Sequence, residues 1–442
     1  ARKLHEQIPV LTIEKELEEA QEDLNITLSE RQKEAVRMVF ANPICIITGG
    51  PGTGKTTVLK VILYIYQKKC GNEVKLMAPT GRAARRMAES TGNGDATTMH
   101  MALGLFGDGD YEALTDKLSA DFINADEVSM VDMHLAYEFF YKVKAGARVL
   151  LVGDVHQLPS VGAGDVFRQL ILCGKIPVTV LNLVYRQGKD SNIPINAQLI
   201  NEGKTNLQWG DDFQMVECSG ADAAAQIVKN IYLKEIQMYG MEQVQILSPY
   251  KVRSAAGVLE LNRSLQDEVN PPVSGKRELH LGGEIFREGD RILQNKNTEF
   301  ASNGDLGTLV QIAEDEDNNP LVQIVFTDGR RVKYEAEQVE MIEHANAITI
   351  HKSQGSECQV VIIPWLKAFY PMLKRNIFYT GITRAKQRVY IVGEWKAVCQ
   401  AIHTDDTGTR KTMLAVKIQQ YCERYQRQEN RRIPATICNR AV

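Results

Sequence analysis

Short apolar runs alternate with longer amphipathic stretches over the first part of the chain. Residues 44–47, 74–77 and 147–152 are apolar runs, and each is followed by a stretch with helical spacing. Buried strands that alternate with helices are typical of a parallel sheet covered by helices. The pattern therefore predicts an α/β fold.

The same alternation returns later in the chain. Ser191 is placed to cap a helix that Gly203 ends, and the run 244–247 predicts a buried strand before a helix over 253–268. The run 389–392 predicts the last strand. These positions indicate a second α/β domain.

Between about residues 270 and 340, within the second domain, the pattern changes to short strings in which apolar and polar residues alternate. Turn signals separate them at Gly282-Gly283, Asn303-Gly304 and Asp328-Gly329, which favours a small antiparallel β-domain inserted into the second α/β domain. The predicted division is a helical N-terminal remnant (1–27), a first α/β domain (28–183), a second α/β domain (184–269 and 341–402), a β-barrel insertion (270–340) and a C-terminal helix with a basic tail (403–442).

Composition and charge narrow the class of protein. The 442 residues are 44% hydrophobic and 24% charged, which excludes a mostly disordered chain and favours several domains. We find no apolar run of the roughly 18 residues that a membrane helix needs and no apolar signal core, so we expect a cytoplasmic, bacterial-type protein without a membrane partner. The net charge of −3 gives no general indication of a nucleic-acid partner.

The cysteines give no sign of disulfides or zinc. The chain has eight cysteines and no Cys-x-x-Cys pair. Cys45 and Cys173 lie in apolar runs, so we expect buried thiols in a reducing compartment.

The strongest motif is a phosphate-binding loop. Residues 49–56 read GGPGTGKT, which matches G-x-x-x-x-G-K-[ST] between a predicted strand and a predicted helix. Lys55 should reach the β- and γ-phosphates of a nucleoside triphosphate, and the Thr56 hydroxyl should ligate Mg²⁺. The candidate ATP-binding residues of this loop are Gly50, Pro51, Gly52, Thr53, Gly54, Lys55, Thr56 and Thr57.

Two adjacent carboxylates follow a later predicted strand. Asp126 and Glu127 come directly after the run 122–125. A pair at this place can divide the work of hydrolysis: Asp126 holds the metal, and Glu127 orients or deprotonates the attacking water. Taken alone, such a pair is usually a solvated strand end.

An ordered series of segments resembles the motifs of superfamily 1 helicases, and more narrowly of their RecD-like branch, which includes the alpha subunit of exodeoxyribonuclease V. The resemblance covers about residues 28 to 400 and rests on GGPGTGKTT (49–57), APTGRAARR (78–86), DEVSMVD (126–132), VGDVHQLPSVGAGDVF (152–167), YRQ (185–187), GDRILQNKN (289–297), NGDLGTL (303–309), ITIHKSQGSE (348–357) and YTGITRAK (379–386).

The resemblance implies two RecA-like P-loop NTPase domains with ATP in the cleft between them. Gln32 would recognise adenine and Gln157 would sense the γ-phosphate. Arg186 and Arg384 would be arginine fingers that neutralise phosphoryl oxygens only when the cleft closes. Tyr185 would stack on adenine, although a core tyrosine is an equally good interpretation.

The resemblance also places single-stranded DNA across one edge of both sheets. Backbone-directed contacts from small and basic residues give the sequence-tolerant grip that a translocating motor needs. An alternative for Thr80 is that it only caps the following helix. The candidate DNA-binding residues are Pro79, Thr80, Arg82, His100, Thr349, His351, Lys352 and Gln354.

Some positions depart from the family pattern. Asn124 puts an amide in a buried strand, which lowers stability unless it is hydrogen-bonded. Val128 and Gly381 replace alanines. The insertion resembles the Src-homology-3-type barrel of the branch, whereas the strand-separating hairpin expected over 104–119 is short and rich in Gly and Asp.

The resemblance implies an ATP- and Mg²⁺-dependent DNA helicase that moves 5′ to 3′ on single-stranded DNA and acts at single-strand/duplex junctions in repair or recombination. We expect a monomer. Open alternatives are an RNA helicase, a motor subunit of a helicase–nuclease complex that is inactive alone, a non-hydrolysing DNA-binding module, and a fragment of a conjugative relaxase.

Overall fold

The computed structural model describes residues 2–6, 8–70, 73–105, 116–182, 191–298, 300–314, 319–406 and 410–432. No helix in these ranges is both long and apolar enough to span a bilayer.

The helices and strands of the first α/β unit are, in chain order, α1 (Glu14–Asp23), α2 (Glu30–Ala41), β1 (Ile44–Gly49), α3 (Lys55–Cys70), β2 (Val74–Ala78), α4 (Gly81–Thr91), β3 (Thr97–Thr98), α5 (Met99–Ala102), β4 (Phe122–Ala125), α6 (Met133–Lys142), β5 (Arg148–Gly153), α7 (Val166–Leu172) and β6 (Val178–Leu181). The six strands form one parallel sheet with the order β3-β2-β4-β5-β1-β6. The predicted strands 44–47, 74–77 and 147–152 correspond to β1, β2 and β5.

Helices cover both faces of this sheet because its strands are apolar on both sides. Cys45 and Ile47 of β1 pack with α1, α2 and α3, whereas Ile44 and Ile46 pack with the helices of the opposite face. Ser29 and Gln32 form a capping box that starts α2. The described cysteines are free thiols, and Cys45 and Cys173 are buried as predicted.

The second α/β unit begins with α8 (Asn192–Asn201), β7 (Phe213–Glu217), α9 (Ala221–Tyr239), β8 (Val244–Ser248) and α10 (Val258–Val269). Ser191 is the N-cap residue of α8, as predicted, although its side chain makes no capping hydrogen bond. Its hydroxyl donates to Asp212 Oδ2 at 2.8 Å, because Asp212 also accepts from the Asn192 backbone and draws both groups to one carboxylate. The helix predicted over 253–268 starts five residues later.

An antiparallel unit follows, made of β9 (Glu278–Leu281), β10 (Glu284–Arg287), β11 (Arg291–Gln294), β12 (Leu306–Glu314), β13 (Pro320–Phe326), β14 (Arg331–Tyr334), α11 (Ala336–Val339) and β15 (Ile342–His344). Strands β9 and β10 pair as a hairpin, and the other five form a sheet in the order β14-β13-β12-β11-β15. The predicted change to antiparallel structure is confirmed. Closure into a barrel stays a prediction, since β14 and β15 are edges among the described strands.

The chain then returns to the second α/β unit with β16 (Ala347–Thr349), β17 (Cys358–Trp365), α12 (Arg375–Ile382), β18 (Ala385–Gly393), α13 (Trp395–His403) and α14 (Leu414–Arg432). The second parallel sheet has the strand order β16-β8-β17-β18-β7. The strand predicted over 389–392 lies inside β18.

The last helix packs on the first sheet rather than on the second. Ile418 and Cys422 of α14 belong to the core on one face of the first sheet, and Gln419 Nε2 donates to the Cys173 carbonyl at 3.0 Å. The α/β class with helix-flanked parallel sheets is confirmed. The boundaries at 27, 183, 269, 340 and 402 stay a prediction.

Candidate functional site

The loop between β1 and α3 folds around a lysine. Gly52 and Gly54 have φ angles of 75° and 84°, a region that L side chains rarely adopt. Lys55 Nζ donates to the carbonyl oxygens of Gly49 at 2.7 Å and Gly50 at 3.0 Å. The loop thus places an ammonium group and the amino end of a 16-residue helix at one point, where both favour an anion.

A cavity of about 320 Å³ opens beside this loop. Both parallel sheets contribute to it, the second through the segment that precedes β17 and the residue that precedes β18. Its walls are Pro51, Gly52, Gly54, Lys55, Thr56, Thr57, Ala83, Arg86, Met87, Ser90, Asp126, Glu127, Gln157, Gly355, Glu357 and Arg384. The fold therefore brings together most of the residues that the sequence predicts for nucleotide binding and hydrolysis.

The acidic pair lies at the carboxyl end of β4. The Asp126 backbone donates to the Met77 carbonyl at 2.9 Å, and Asp126 Oδ1 accepts from the Glu127 backbone at 2.7 Å. Glu127 adopts φ 51°, which turns the chain away from the sheet. Burial, and then the charge of Glu127, raises the pKa of Asp126 to about 6.

The cavity offers hard oxygen donors for a metal ion. The Thr56 hydroxyl and the Asp126 carboxylate line the same space. Mg²⁺ is usually held by one or two protein ligands together with substrate phosphates and water, so this donor set fits it. Nowhere in the described chain do three His, Cys, Asp or Glu side chains form a cluster that could hold a metal alone.

Gln157 is one of the residues that line the cavity. Its side chain is 5% exposed, and Nε2 donates to Asp154 Oδ2 at 3.2 Å. The buried Oε1 has no hydrogen-bond partner among the described residues. A buried acceptor without a donor raises the free energy of this arrangement.

Arg384 reaches the cavity from the second sheet. It is 2% exposed, and backbone carbonyls of Thr380 and Ser356 accept from its guanidinium at 3.2 and 3.3 Å. These bonds fix the cation beside the phosphate loop. Tyr185 and Arg186 lie outside the described residues.

Gln32 lies behind the phosphate loop rather than among the residues that line the cavity. Its Nε2 donates to the Thr53 carbonyl at 3.3 Å, and its Oε1 accepts from the Ser29 backbone at 3.0 Å. Thr53 is also turned inward, with Oγ1 donating to the Gly50 carbonyl at 2.8 Å. Adenine recognition by Gln32 stays a prediction.

The sequence reasoning missed an ion pair that crosses the cavity. Arg86 Nη2 of α4 lies 2.5 Å from Glu357 Oε1, which precedes β17. Both residues stand in segments that carry the family resemblance. Nothing in their spacing indicated that they would meet, because 271 residues separate them.

The candidate DNA-binding loops of the two sheets lie side by side. A Cβ on Gly355 would lie 3.3 Å from Thr80 Oγ1, so the loops after β2 and β16 are in contact. Pro79, Thr80, Thr349, His351 and Lys352 are half-buried, and His100 is exposed on α5. The Thr80 hydroxyl accepts from the Ala83 backbone at 3.3 Å, so it does cap α4.

Two candidate DNA contacts point elsewhere. Gln354 is 6% exposed and its Nε2 donates to the Leu158 carbonyl of the first unit at 3.1 Å. Arg82 lines a second cavity of about 330 Å³ between α4 and the β insertion, and its Nη1 is buried without a hydrogen-bond partner among the described residues. Burial, and then the charge of Arg291, lowers the pKa of Arg82 to about 10.

Comparisons with protein families agree with this geometry. Residues 27–221 match the family described as AAA domain, residues 344–392 match the UvrD-like helicase C-terminal domain, and residues 261–326 match the ATP-dependent RecD-like DNA helicase SH3 domain.

Two curated relatives are similar to this chain over most of its length. The ATP-dependent RecD2 DNA helicase of Deinococcus radiodurans is 34% identical over 84% of this chain, and the match spans half of that relative's length. The RecBCD enzyme subunit RecD of Haemophilus influenzae is 26% identical over 86% of this chain and 72% of that protein.

Solved structures share the fold. The Pif1 helicase from Candida albicans superposes on this chain with a TM-score of 0.53 at 18% identity. The match covers 90% of this chain and all of the Pif1 chain. A Pif1 structure described for DNA unwinding at forked duplexes has a TM-score of 0.55 at 18% identity, over 90% of this chain and 98% of that one.

Two helix-flanked parallel sheets around one phosphate-loop cleft define a P-loop NTPase fold with two motor-type units. Within that class, the chain is similar to the RecD-like branch of superfamily 1 helicases.

Proposed function

We propose that this chain is an ATP-driven DNA helicase that translocates 5′ to 3′ along single-stranded DNA. The observation that carries the proposal is the shared cleft, in which Lys55, Glu127 and Gln157 of the first unit face the same space as Arg384 of the second. Hydrolysis in such a cleft depends on how the two units approach, which is what a motor requires. The likeness to RecD proteins favours DNA over RNA.

Each group in the cleft would act on a different part of the reaction. The Lys55 ammonium would exchange the two loop carbonyls for the β- and γ-phosphate oxygens of ATP. Glu127 and Gln157 would orient the attacking water, with Gln157 also sensing the γ-phosphate, and Arg384 would neutralise charge on the transferred phosphoryl group.

Thr56 and Asp126 are the residues that would hold Mg²⁺. When bound there, the ion would neutralise negative charge on the phosphates of ATP. Burial and the Glu127 charge disfavour the ionised carboxylate of Asp126 and so raise its pKa. A bound cation would stabilise that carboxylate. We expect metal affinity to fall below about pH 6, as this group becomes protonated.

The adjacent loops after β2 and β16 would grip the DNA backbone, one from each unit. Relative motion of the units then changes the distance between the two grips, and this change moves the strand. Monomeric action, 5′-to-3′ polarity, a repair or recombination role and the domain boundaries given above belong to the same proposal. The segment expected to separate strands lies mostly outside the described residues.

Strand separation on matched duplexes with either a 5′ or a 3′ single-stranded overhang tests the proposal, with ATPase rates recorded with and without single-stranded DNA or RNA. We expect unwinding from the 5′ overhang only, and stimulation by DNA. DNA-stimulated hydrolysis without unwinding would instead indicate a translocase or a partner-dependent motor.

Two variants connect the outcome to the cleft. Lys55→Ala should abolish turnover, because the phosphate ligand is lost. Arg384→Ala should retain binding of a fluorescent ATP analogue and lose hydrolysis by about 1,000-fold or more. Normal hydrolysis by the Arg384 variant would remove that residue from the mechanism.

A further inference from the structure

Asp154, which directly follows β5, is the hub of a small buried network. It is 1% exposed, and its Oδ1 accepts from the His156 backbone at 3.0 Å. Its Oδ2 accepts from Gln157 Nε2 at 3.2 Å. Because the carboxylate holds the amide nitrogen of Gln157, it fixes the orientation of this side chain, which lines the cleft.

The second α/β unit supplies the other donor to this carboxylate. The Tyr379 hydroxyl on α12 donates to Asp154 Oδ2 at 2.9 Å across the interface between the units. A Cβ on Gly50 would lie 3.0 Å from the same hydroxyl, so Tyr379 also lies against the phosphate loop. One side chain of the second unit thus touches both the loop and the carboxylate that orients Gln157.

The residue after Tyr379 is hydrogen-bonded as well, both to the first unit and to Arg384. The next residue of α12, Thr380, accepts from the Leu158 backbone through Oγ1 at 3.0 Å, and its carbonyl accepts from Arg384 Nε at 3.2 Å. Burial and then the Asp154 charge raise the pKa of Tyr379 well above its ordinary value, so the hydroxyl remains a donor near neutral pH.

We propose that Tyr379 is a positioning residue that couples docking of the second α/β unit to the orientation of Gln157 through Asp154. The inference rests on the proposed ATP hydrolysis, in which Gln157 orients the attacking water. When the units separate, Asp154 loses its donor from α12 and Gln157 loses its fixed orientation. Hydrolysis is then restricted to the docked arrangement, in which Arg384 is also in place.

Tyr379→Phe in the full chain tests the inference, because it removes one hydroxyl and keeps the ring. Tyr390→Phe is a matched control, since its hydroxyl donates to Glu235 at 2.9 Å within the second unit, away from the cleft. We expect Tyr379→Phe to lower kcat about tenfold or more, with the KM for ATP and the affinity for a fluorescent ATP analogue within about twofold of wild type.

Hydrogen exchange of the peptide that spans residues 154–158 gives a readout independent of turnover. Tyr379→Phe should accelerate it, whereas Tyr390→Phe should leave it unchanged. A kcat within twofold of wild type, or unchanged exchange in 154–158, would overturn the inference. A wild-type chain that does not hydrolyse ATP would overturn the proposed function, and the exchange comparison would still decide whether Tyr379 holds the Asp154 loop.

Discussion

At the scale of single residues, Asp126 is under two opposing demands. It must be a carboxylate to hold a cation, yet burial and Glu127 favour its protonated form and raise its pKa to about 6. A raised pKa in the folded state means that this group's contribution to stability is fully present below about pH 4 and is lost as the pH rises through 6. The candidate metal ligand therefore lowers stability at neutral pH when no cation is bound.

We expect Asp126→Asn to raise the free energy of unfolding by about 1 to 2 kcal/mol at pH 8 without nucleotide or magnesium, and by almost nothing at pH 4. Chemical denaturation across this pH range measures the difference. Asp222→Asn, at an exposed position on α9, is the control and should show a much smaller pH dependence. A benefit from Asp126→Asn that is the same at every pH would contradict the interpretation.

Asn124 provides a second prediction at this scale. It is fully buried in β4; its Nδ2 lies 3.2 Å from Met87 Sδ, and its Oδ1 has no hydrogen-bond partner among the described residues. Asn124→Val should raise the free energy of unfolding by about 1 kcal/mol, since it removes an unsatisfied buried acceptor.

Asn196 is the matched control for Asn124. It is equally buried, but its amide makes two 2.7 Å bonds with the Gln208 backbone. Asn196→Val should therefore destabilise the protein by about 1 to 3 kcal/mol. Destabilisation by both substitutions in thermal or chemical unfolding would show that the Asn124 amide is satisfied after all.

At the scale of elements, α4 connects the first unit to the β insertion. Arg85 pairs with Asp305, whose side chain is 1% exposed, and with Asp328 at 3.1 Å. A Cβ on Gly81 would lie 2.2 Å from Ser302 Oγ, so only glycine fits this approach without a shift. The helix after a candidate DNA-binding loop is therefore fixed against the insertion.

A double-mutant cycle with Arg85→Ala and Asp305→Asn should give a coupling of about 1 to 3 kcal/mol in unfolding experiments. The exposed pair Arg37–Glu14, at 2.9 Å, should give less than about 1 kcal/mol in the same cycle. Equal couplings would mean that α4 and the insertion are not held together by this contact.

At the scale of the whole molecule, the net charge of −3 means that attraction to DNA has to be local. Lys352 is the basic residue of the loop after β16, and its Nζ donates to Asn303 Oδ1 at 2.5 Å. Burial lowers the pKa of Lys352. Arg82, by contrast, is enclosed between the units.

We expect Lys352→Ala to reduce the slope of log Kd against log salt concentration for single-stranded DNA binding by about 0.7. Arg82→Ala should leave that slope unchanged. Fluorescence anisotropy with an oligonucleotide at several salt concentrations measures both. A slope reduced equally by the two variants would place Arg82 on the DNA path as the sequence suggested.

Much of the fold and half of the cleft follow from local sequence. The phosphate loop is predictable because Gly52, Gly54 and Lys55 set its backbone and charge within a few residues. The acidic pair is equally local, since a buried strand must end where Asp126 and Glu127 begin. The helix-flanked parallel sheets follow from apolar runs buried on both faces.

Other features were decided only by how the two sheets dock. Arg86 meets Glu357, Arg82 and Gln354 turn toward the neighbouring unit, and Tyr379 reaches Asp154 across 225 residues of sequence. A periodic pattern tells which face of an element is buried but not which distant element covers it. The sequence by itself therefore determined the phosphate loop, the carboxylates and the fold class. The tertiary structure decided which side chains of the second unit complete the cleft, because those contacts depend on the relative placement of two separately folded sheets.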